Sequence, residues 1–214
     1  MKNNKNKVEL YGEIMDIQPD RFFKDGERFK RFYIGSKRIS ENVDLLPVIV
    51  KEEYMSRLKV GQRVYVEGKY ISFNKHENGN SHLILEIKAE YVLPTFREND
   101  ADKIVLEGYI CKPPVYRKTL KERELCELIV AYDLHRSDYI PCIAWWNEAR
   151  EAANFKVGDF VKIVGRIQSR VYQKKLSGDE VELRTAYEES IGRIIEHEIG
   201  SKKDHTGKLQ EVSE

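Results

Sequence analysis

The sequence offers little from which catalytic chemistry could be built. Its three cysteines, Cys111, Cys126 and Cys142, are odd in number, lack C-x-x-C spacing and sit in strand-like runs. They read as reduced, packed thiols rather than a disulfide or metal framework. The five histidines, His76, His82, His135, His197 and His205, show no H-E-x-x-H or related ligand spacing, so no metal site is expected. Gly61 and Gly68 stand too far apart for a phosphate-binding loop, and Tyr70 occupies the position where Ser or Thr would be needed. Carboxylates are plentiful but scattered, and no catalytic residue or cofactor is expected. No run approaches the roughly 20 apolar residues of a membrane span. The opening MKNNKNKVEL is polar, so the expectation is a cytoplasmic protein without membrane association. An excess of one charge is missing too: 37 Lys and Arg stand against 36 Asp and Glu, a net charge of +1. Bulk charge therefore favours no class of partner.

What is present is repetition. KVGDFVKIVGRIQS from Lys156 restates KVGQRVYVEGKYIS from Lys59, 97 residues earlier. NKVELYGEI from Asn6 returns as DKIVLEGYI from Asp102, at an offset of 96, and LPVIV from Leu46 as IPCIA from Ile140, at 94. Three matches in one order at nearly one spacing mean one fold written twice, and a period near 100 residues means tandem domains rather than a solenoid. With 34% charged and 41% apolar residues, each copy has the composition of a soluble globular domain. The expected division is 1–98, 102–196 and a flexible tail at 197–214. Charge is unevenly spread: residues 103–175 carry 14 basic against 9 acidic side chains, and 176–214 carry 5 against 10.

FVKIVGRIQSRVYQ alternates. Val161, Ile163, Ile167 and Val171 fall on one face, and Lys162, Arg166, Gln168, Arg170 and Tyr172 on the other. Period two with β-branched residues predicts a half-buried strand, and Gly165 within it marks a bend of the kind small closed barrels need. The second copy then predicts strands over 104–115, 124–131, 139–145, 160–173 and 181–187, with a helix over 147–155 capped by Asn147 between the third and fourth. The first copy predicts strands over 8–17, 29–39, 45–50, 63–73 and 83–91, with a helix over 52–58. Three strands, a short helix and two strands is the order of the OB-fold. The predicted class is all-β, with two tandem five-stranded OB-fold barrels and one short helix in each.

Cations interleaved with an aromatic on an exposed strand face suit a single nucleic-acid strand, because every base offers a π-face. Tyr139 and Trp145 lie on one parity of the preceding strand, while Trp146 falls on the other or begins the helix. Residues 137–173, SDYIPCIAWWNEAREAANFKVGDFVKIVGRIQSRVYQ, resemble the bacterial single-stranded-DNA-binding protein family. There, a strand ending in an aromatic leads through a helix and a Gly turn into a G-R-I-Q-S/T-R-x-Y strand. The resemblance implies stacking by Tyr139, Trp145 and Tyr172, phosphate contact by Arg170, and Ile140, Cys142 and Ala144 pointing into the barrel. It also implies contributions from Tyr116 and Arg117 in the first hairpin and Tyr132 on strand two, and from Lys174 and Lys175 at the loop after strand four, while Arg166 and Gln168 are candidates by their place on the outward face of that strand.

Members of that family usually carry one domain per chain, assemble as tetramers and end in an acidic tail tipped Pro-Phe. This sequence ends GKLQEVSE, which puts recruitment of partners through that end in doubt. In the first copy, Leu45, Lys51, Phe73 and Lys75 stand where the second has Tyr139, Trp145, Arg170 and Tyr172. The first copy is therefore expected to be degenerate, used for pairing or as a basic extension through Phe22, Phe23, Phe29, Phe32, Tyr33, Lys37 and Arg38. The expected partners are single-stranded DNA, a further copy of the chain, and replication, recombination or repair proteins. The alternatives are a primosome-like or effector protein-interaction module, and a metal-dependent nuclease on the same fold.

Overall fold

A computed structural model describes residues 5–24, 26–38, 40–55, 58–77, 80–132, 138–175 and 181–200. The first barrel runs β1 (Asn6–Lys24), β2 (Glu27–Lys37), β3 (Val43–Lys51), α1 (Glu52–Met55), β4 (Arg63–Glu77) and β5 (Asn80–Pro94). β1 pairs with β2 and β4, β2 with β3, β3 in parallel with β5, and β5 with β4. The ring closes on itself, as the OB order requires. The second barrel runs β6 (Ala101–Ile110), β7 (Val115–Lys118), β8 (Glu124–Ala131), β9 (Tyr139–Trp145), α2 (Trp146–Ala152), β10 (Phe160–Lys175) and β11 (Val181–Glu198). It closes through β6–β8, β8–β9, parallel β9–β11, β11–β10 and β10–β6.

The predicted fold stands, with local differences. The run predicted at 104–115 breaks into β6 and β7 because Pro113 and Pro114 cannot donate to a ladder. The second helix begins at Trp146 rather than Asn147 and stops at Ala152, and its N-cap is Trp145, with no side-chain capping bond. α1 spans only Glu52–Met55, one turn. β11 continues to Glu198, past the predicted barrel end, and the Gly200 N–H donates to Asp159 Oδ1 at 2.9 Å. Inside β10, Val161, Ile163 and Ile167 are fully buried as the alternation predicts, but Val171 is 66% exposed because it lies in the part of the hairpin that leaves the barrel.

Gly68 and Gly165 are required by close approach. A Cβ at Gly68 would overlap the backbone of Lys88 and Ala89, and one at Gly165 the backbone of Ser190. Each sits at a register shift with the closing strand, where a bulge tightens the coil.

The barrels are joined by β1 lying antiparallel to β6, with Val8 opposite Ile104, Asn6 opposite Leu106 and Leu10 opposite Asp102. At the sequence offset of 96, Val8 faces its own counterpart, and Asn6 and Leu10 exchange partners. That is an isologous contact, the kind two identical subunits make about a two-fold axis, here within one chain. The eleven strands form one continuous sheet.

The seam is reinforced on both sides. Asp44 of the first barrel is 1% exposed. Its carboxylate accepts hydrogen bonds from the Ser169 N–H at 2.7 Å, the Ser169 hydroxyl at 2.8 Å and Arg38 Nε at 2.7 Å, and pairs with Arg166 at 3.2 Å. Burial alone would push the Asp44 carboxyl up, but the Arg38 and Ser169 hydrogen bonds outweigh it and hold it below the usual range. On the other side, the counterpart pair makes the same contact more loosely: the Ser72 N–H donates to Asp138 Oδ1 at 3.3 Å, and the Tyr139 N–H to the Ser72 hydroxyl at 2.8 Å.

Candidate nucleic-acid interface

The outer face of the second barrel is laid down by β7, β8 and β9. On β9, Ile140, Cys142 and Ala144 point inward with 0–3% exposure, leaving Tyr139 at the start 42% exposed and Trp145 at the end partly exposed. Six residues of strand separate the two rings by roughly 20 Å. Arg117 on β7 pairs with Leu125 on β8, and Leu125 with Trp145. Arg117 and Trp145 thus flank one β8 position, with backbones about 10 Å apart. A recess of about 580 Å³ opens there, lined by Trp145, Thr119, Leu120 and four cations, Arg117, Lys118, Lys121 and Arg123. Among the described residues, no carboxylate lines it. Arg117 reaches Glu127 at 2.5 Å and Lys118 reaches Glu122 at 3.8 Å, but all four groups are largely exposed, and such pairs hold their partners weakly.

Trp146 adds a second indole beside the first. Its φ is +54°, a left-handed conformation rare for a bulky residue, and it is 52% exposed. Strict alternation would turn this ring toward the interior; the left-handed step into α2 keeps it outside, at a cost on the order of 1–3 kcal/mol.

β10 supplies the rest. The Arg170 guanidinium lies 5.8 Å from the centre of the Tyr172 ring, a cation–π arrangement on an exposed part of the hairpin. Tyr116 is 39% exposed on β7. Lys174 and Lys175 continue β10 opposite Glu182 and Val181, and their side chains lie outside the described residues, as do those of Phe22 and Phe23.

The structure places Arg166, Gln168 and Tyr132 elsewhere. Arg166 is held by Asp44 across the seam and by Gln168 at 3.3 Å. Gln168 is 8% exposed and donates to Glu188 Oε1 at 2.8 Å. Both are on the polar face that alternation assigned them, but Arg166 is engaged there by Asp44 of the first barrel and Gln168 by Glu188 of its own. Tyr132 stands at the seam, its N–H donating to the Asp138 carbonyl at 3.1 Å, and lines a groove of the first barrel. Phe29 and Phe32 of the first copy are core residues with 0–1% exposure.

Sequence reasoning missed Lys118, Lys121, Arg123 and Trp146. The run RKTLKER from Arg117 was visible, but that its cations close around Trp145 follows from the β7–β8 hairpin. The thiols are poor nucleophiles: burial pushes Cys126 up to about 11 and Cys142 well above its ordinary value.

Residues 101–191 match the Single-strand binding protein family. Among solved structures, the wild-type single-stranded DNA binding protein from Thermus aquaticus is similar with a TM-score of 0.73 and 18% identity, over 94% of this chain and 97% of that one. A deletion mutant of that protein gives 0.72 and 19%, over 91% and 95%. At such identity the likeness establishes the fold, and it extends over both barrels. No curated protein matches the chain. The family match thus falls on the second barrel, residues 101–191, which resembles the single-strand binding protein family.

Proposed function

We propose that this chain binds single-stranded DNA without chemistry, as a cytoplasmic accessory to replication, recombination or repair, and that the second barrel does the binding. Tyr139, Trp145 and Tyr172 would stack bases. Arg117, Lys118, Lys121, Arg123 and Arg170 would neutralise phosphates, with Tyr116, Lys174 and Lys175 at the margins. Arg166 and Gln168 would support the platform from the seam rather than touch the strand. The observation that carries this reading is Trp145 partly exposed at the mouth of a recess lined by four cations and, among the described residues, no carboxylate, in a barrel that matches the single-strand binding protein family. Base stacking on aromatic rings is worth about 1–3 kcal/mol per base and tolerates any sequence.

The test is a titration of oligo-dT, oligo-rU and duplex at two salt concentrations, read by tryptophan fluorescence. Oligo-dT should quench the emission, with affinity falling as salt rises. Trp145→Ala should lose about 1–3 kcal/mol of binding. An affinity unchanged by that substitution removes the mechanism.

A further inference from the structure

A recess opens on the first barrel, where the stacking positions of the second are absent. It encloses about 1020 Å³ between the end of β3, α1, β4 and β5, and Tyr132 and Asp138 of the second barrel border it. Three rings open into it: Tyr91, 59% exposed, Tyr54, 49%, and Phe73, 38%. Lys51, Lys69 and Lys88 lie among them against Glu90 and Asp138.

Tyr91 faces outward because of a bulge. Opposite the step from Glu67 to Gly68, β5 carries an extra residue, since Gly68 pairs with Ala89 and Glu67 with Tyr91. Ala89 points into the core and Glu90 is the unmatched residue, so the alternation resets and Tyr91 emerges on the outside. The same step in the second barrel, between Val164 and Gly165, presents Arg193 instead. The ring belongs to this barrel alone.

The groove reaches to within one residue of Tyr139 on the face described above. Ser72, in its lining, accepts the Tyr139 N–H at 2.8 Å, and Asp138, at its border, is the residue before Tyr139. A strand stacked on Tyr139 needs only to cross the seam to reach Phe73 and Tyr91.

We infer that this groove takes the continuation of a single strand leaving Tyr139, so that the first barrel is a second subsite built from Tyr54, Phe73, Tyr91 and Lys88 rather than from the counterparts of Tyr139, Trp145 and Tyr172. The inference rests on the proposed function of the second barrel. With three lysines against two carboxylates, the subsite works mainly by stacking and adds little to the salt dependence.

The test uses the full chain and two oligo-dT lengths, about 8 nucleotides, within the span of one OB barrel, and about 30, enough for two. Tyr54→Ala/Tyr91→Ala should leave the short oligonucleotide unaffected, weaken the long one at least fivefold and shorten the footprint. Trp145→Ala should weaken both. If the double variant binds the long oligonucleotide like the wild type while Trp145→Ala still weakens the short one, the groove inference fails and the function of the second barrel stands. A groove that serves a protein partner gives that same result. If neither variant changes binding, both readings fail; if the double variant weakens both lengths alike, the groove is not a continuation and the inference fails. Photo-crosslinking of bromodeoxyuridine-substituted DNA to the wild-type chain gives an answer independent of the variants' folding. Adducts on Phe73 or Tyr91 support the inference, and adducts confined to the second barrel overturn it.

Discussion

The two barrels keep one contact in common where they touch each other and no stacking ring in common where they face water. Asp44 and Ser72 of the first have the counterparts Asp138 and Ser169 in the second, and each Asp bonds the Ser of the opposite barrel. Gly68 and Gly165 occupy the same bulge. Outward, Leu45, Lys51 and Tyr91 face Tyr139, Trp145 and Arg193 as counterparts, with no chemistry in common. The seam constrains both copies at once, because a change on one side must suit the other. An exposed ring is constrained only by what it binds. One chain thereby holds a barrel pair whose isologous strand contact elsewhere needs two subunits.

The seam is not evenly strong, and substitution should expose this. Asp44 holds Arg38, Arg166 and Ser169 from an almost fully buried position, whereas Asp138 accepts a long hydrogen bond from Ser72. Removing one member of a buried, hydrogen-bonded ion pair costs about 3–5 kcal/mol; losing one ordinary hydrogen bond costs about 1 kcal/mol. Asp44→Ala should therefore lower the unfolding free energy several times more than Ser72→Ala, which removes the hydroxyl that accepts the Tyr139 N–H, measured by urea denaturation at neutral pH. Equal losses would mean that the two sides of the seam carry equal weight.

A second asymmetry lies deeper. Asn6 grips the Tyr70 backbone twice, its amide donating to the carbonyl at 2.6 Å and its oxygen accepting the N–H at 2.9 Å. Its counterpart Asp102 accepts only the Ile167 N–H, at 3.1 Å, and its other oxygen has no hydrogen-bond partner among the described residues. Burial pushes the Asp102 carboxyl up to about 7, against the pull of the Ile167 N–H and of Arg166. Glu189, fully buried where the first barrel has Ile87, is likewise driven well above its ordinary value by burial and by Asp102. For an acid raised on folding, the native state holds a proton that the unfolded chain releases. Stability is therefore fully present below the unfolded value near 3.9 and drains away as pH rises toward about 7. Asp102→Asn restores the donor that Asn6 has. Its gain over wild type should grow by about 1.4 kcal/mol per pH unit across that window and level off above it. A gain independent of pH between 4 and 7 would show that Asp102 ionises in the folded state as it does in the open chain.

Much of this was legible in the sequence and some of it could not be. Period-two alternation around Gly165 and the restated KVG phrases gave the strand order, the closure and the barrel pair. The resemblance over 137–173 singled out Tyr139 and Trp145, whose inward neighbours Ile140, Cys142 and Ala144 are buried as it implies. What remained hidden depends on contacts far along the chain. Arg166 and Gln168 sit on a polar face, yet the partner of Arg166 lies 122 residues away. The extra residue at Glu90 shifts the parity of Tyr91 without any mark in composition. The left-handed backbone at Trp146 falls on a residue type that predicts the opposite.

The smallest effect tests whether rings alone separate the barrels. Leu45, the counterpart of Tyr139, is 45% exposed at the head of β3, so a tyrosine there needs no room in the core. Its neighbour Asp44 already fixes the backbone through Ser169. If the first barrel lost its share of binding at such positions, Leu45→Tyr should restore one stacking contact, at the low end of about 1–3 kcal/mol, and raise affinity for a long oligo-dT about fivefold. If Tyr54, Phe73 and Tyr91 already guide the strand through the groove, the added ring lies off its path and the affinity stays where it was. A gain in Leu45→Tyr together with no loss in Tyr54→Ala/Tyr91→Ala would return the first barrel to the standing of a degenerate copy.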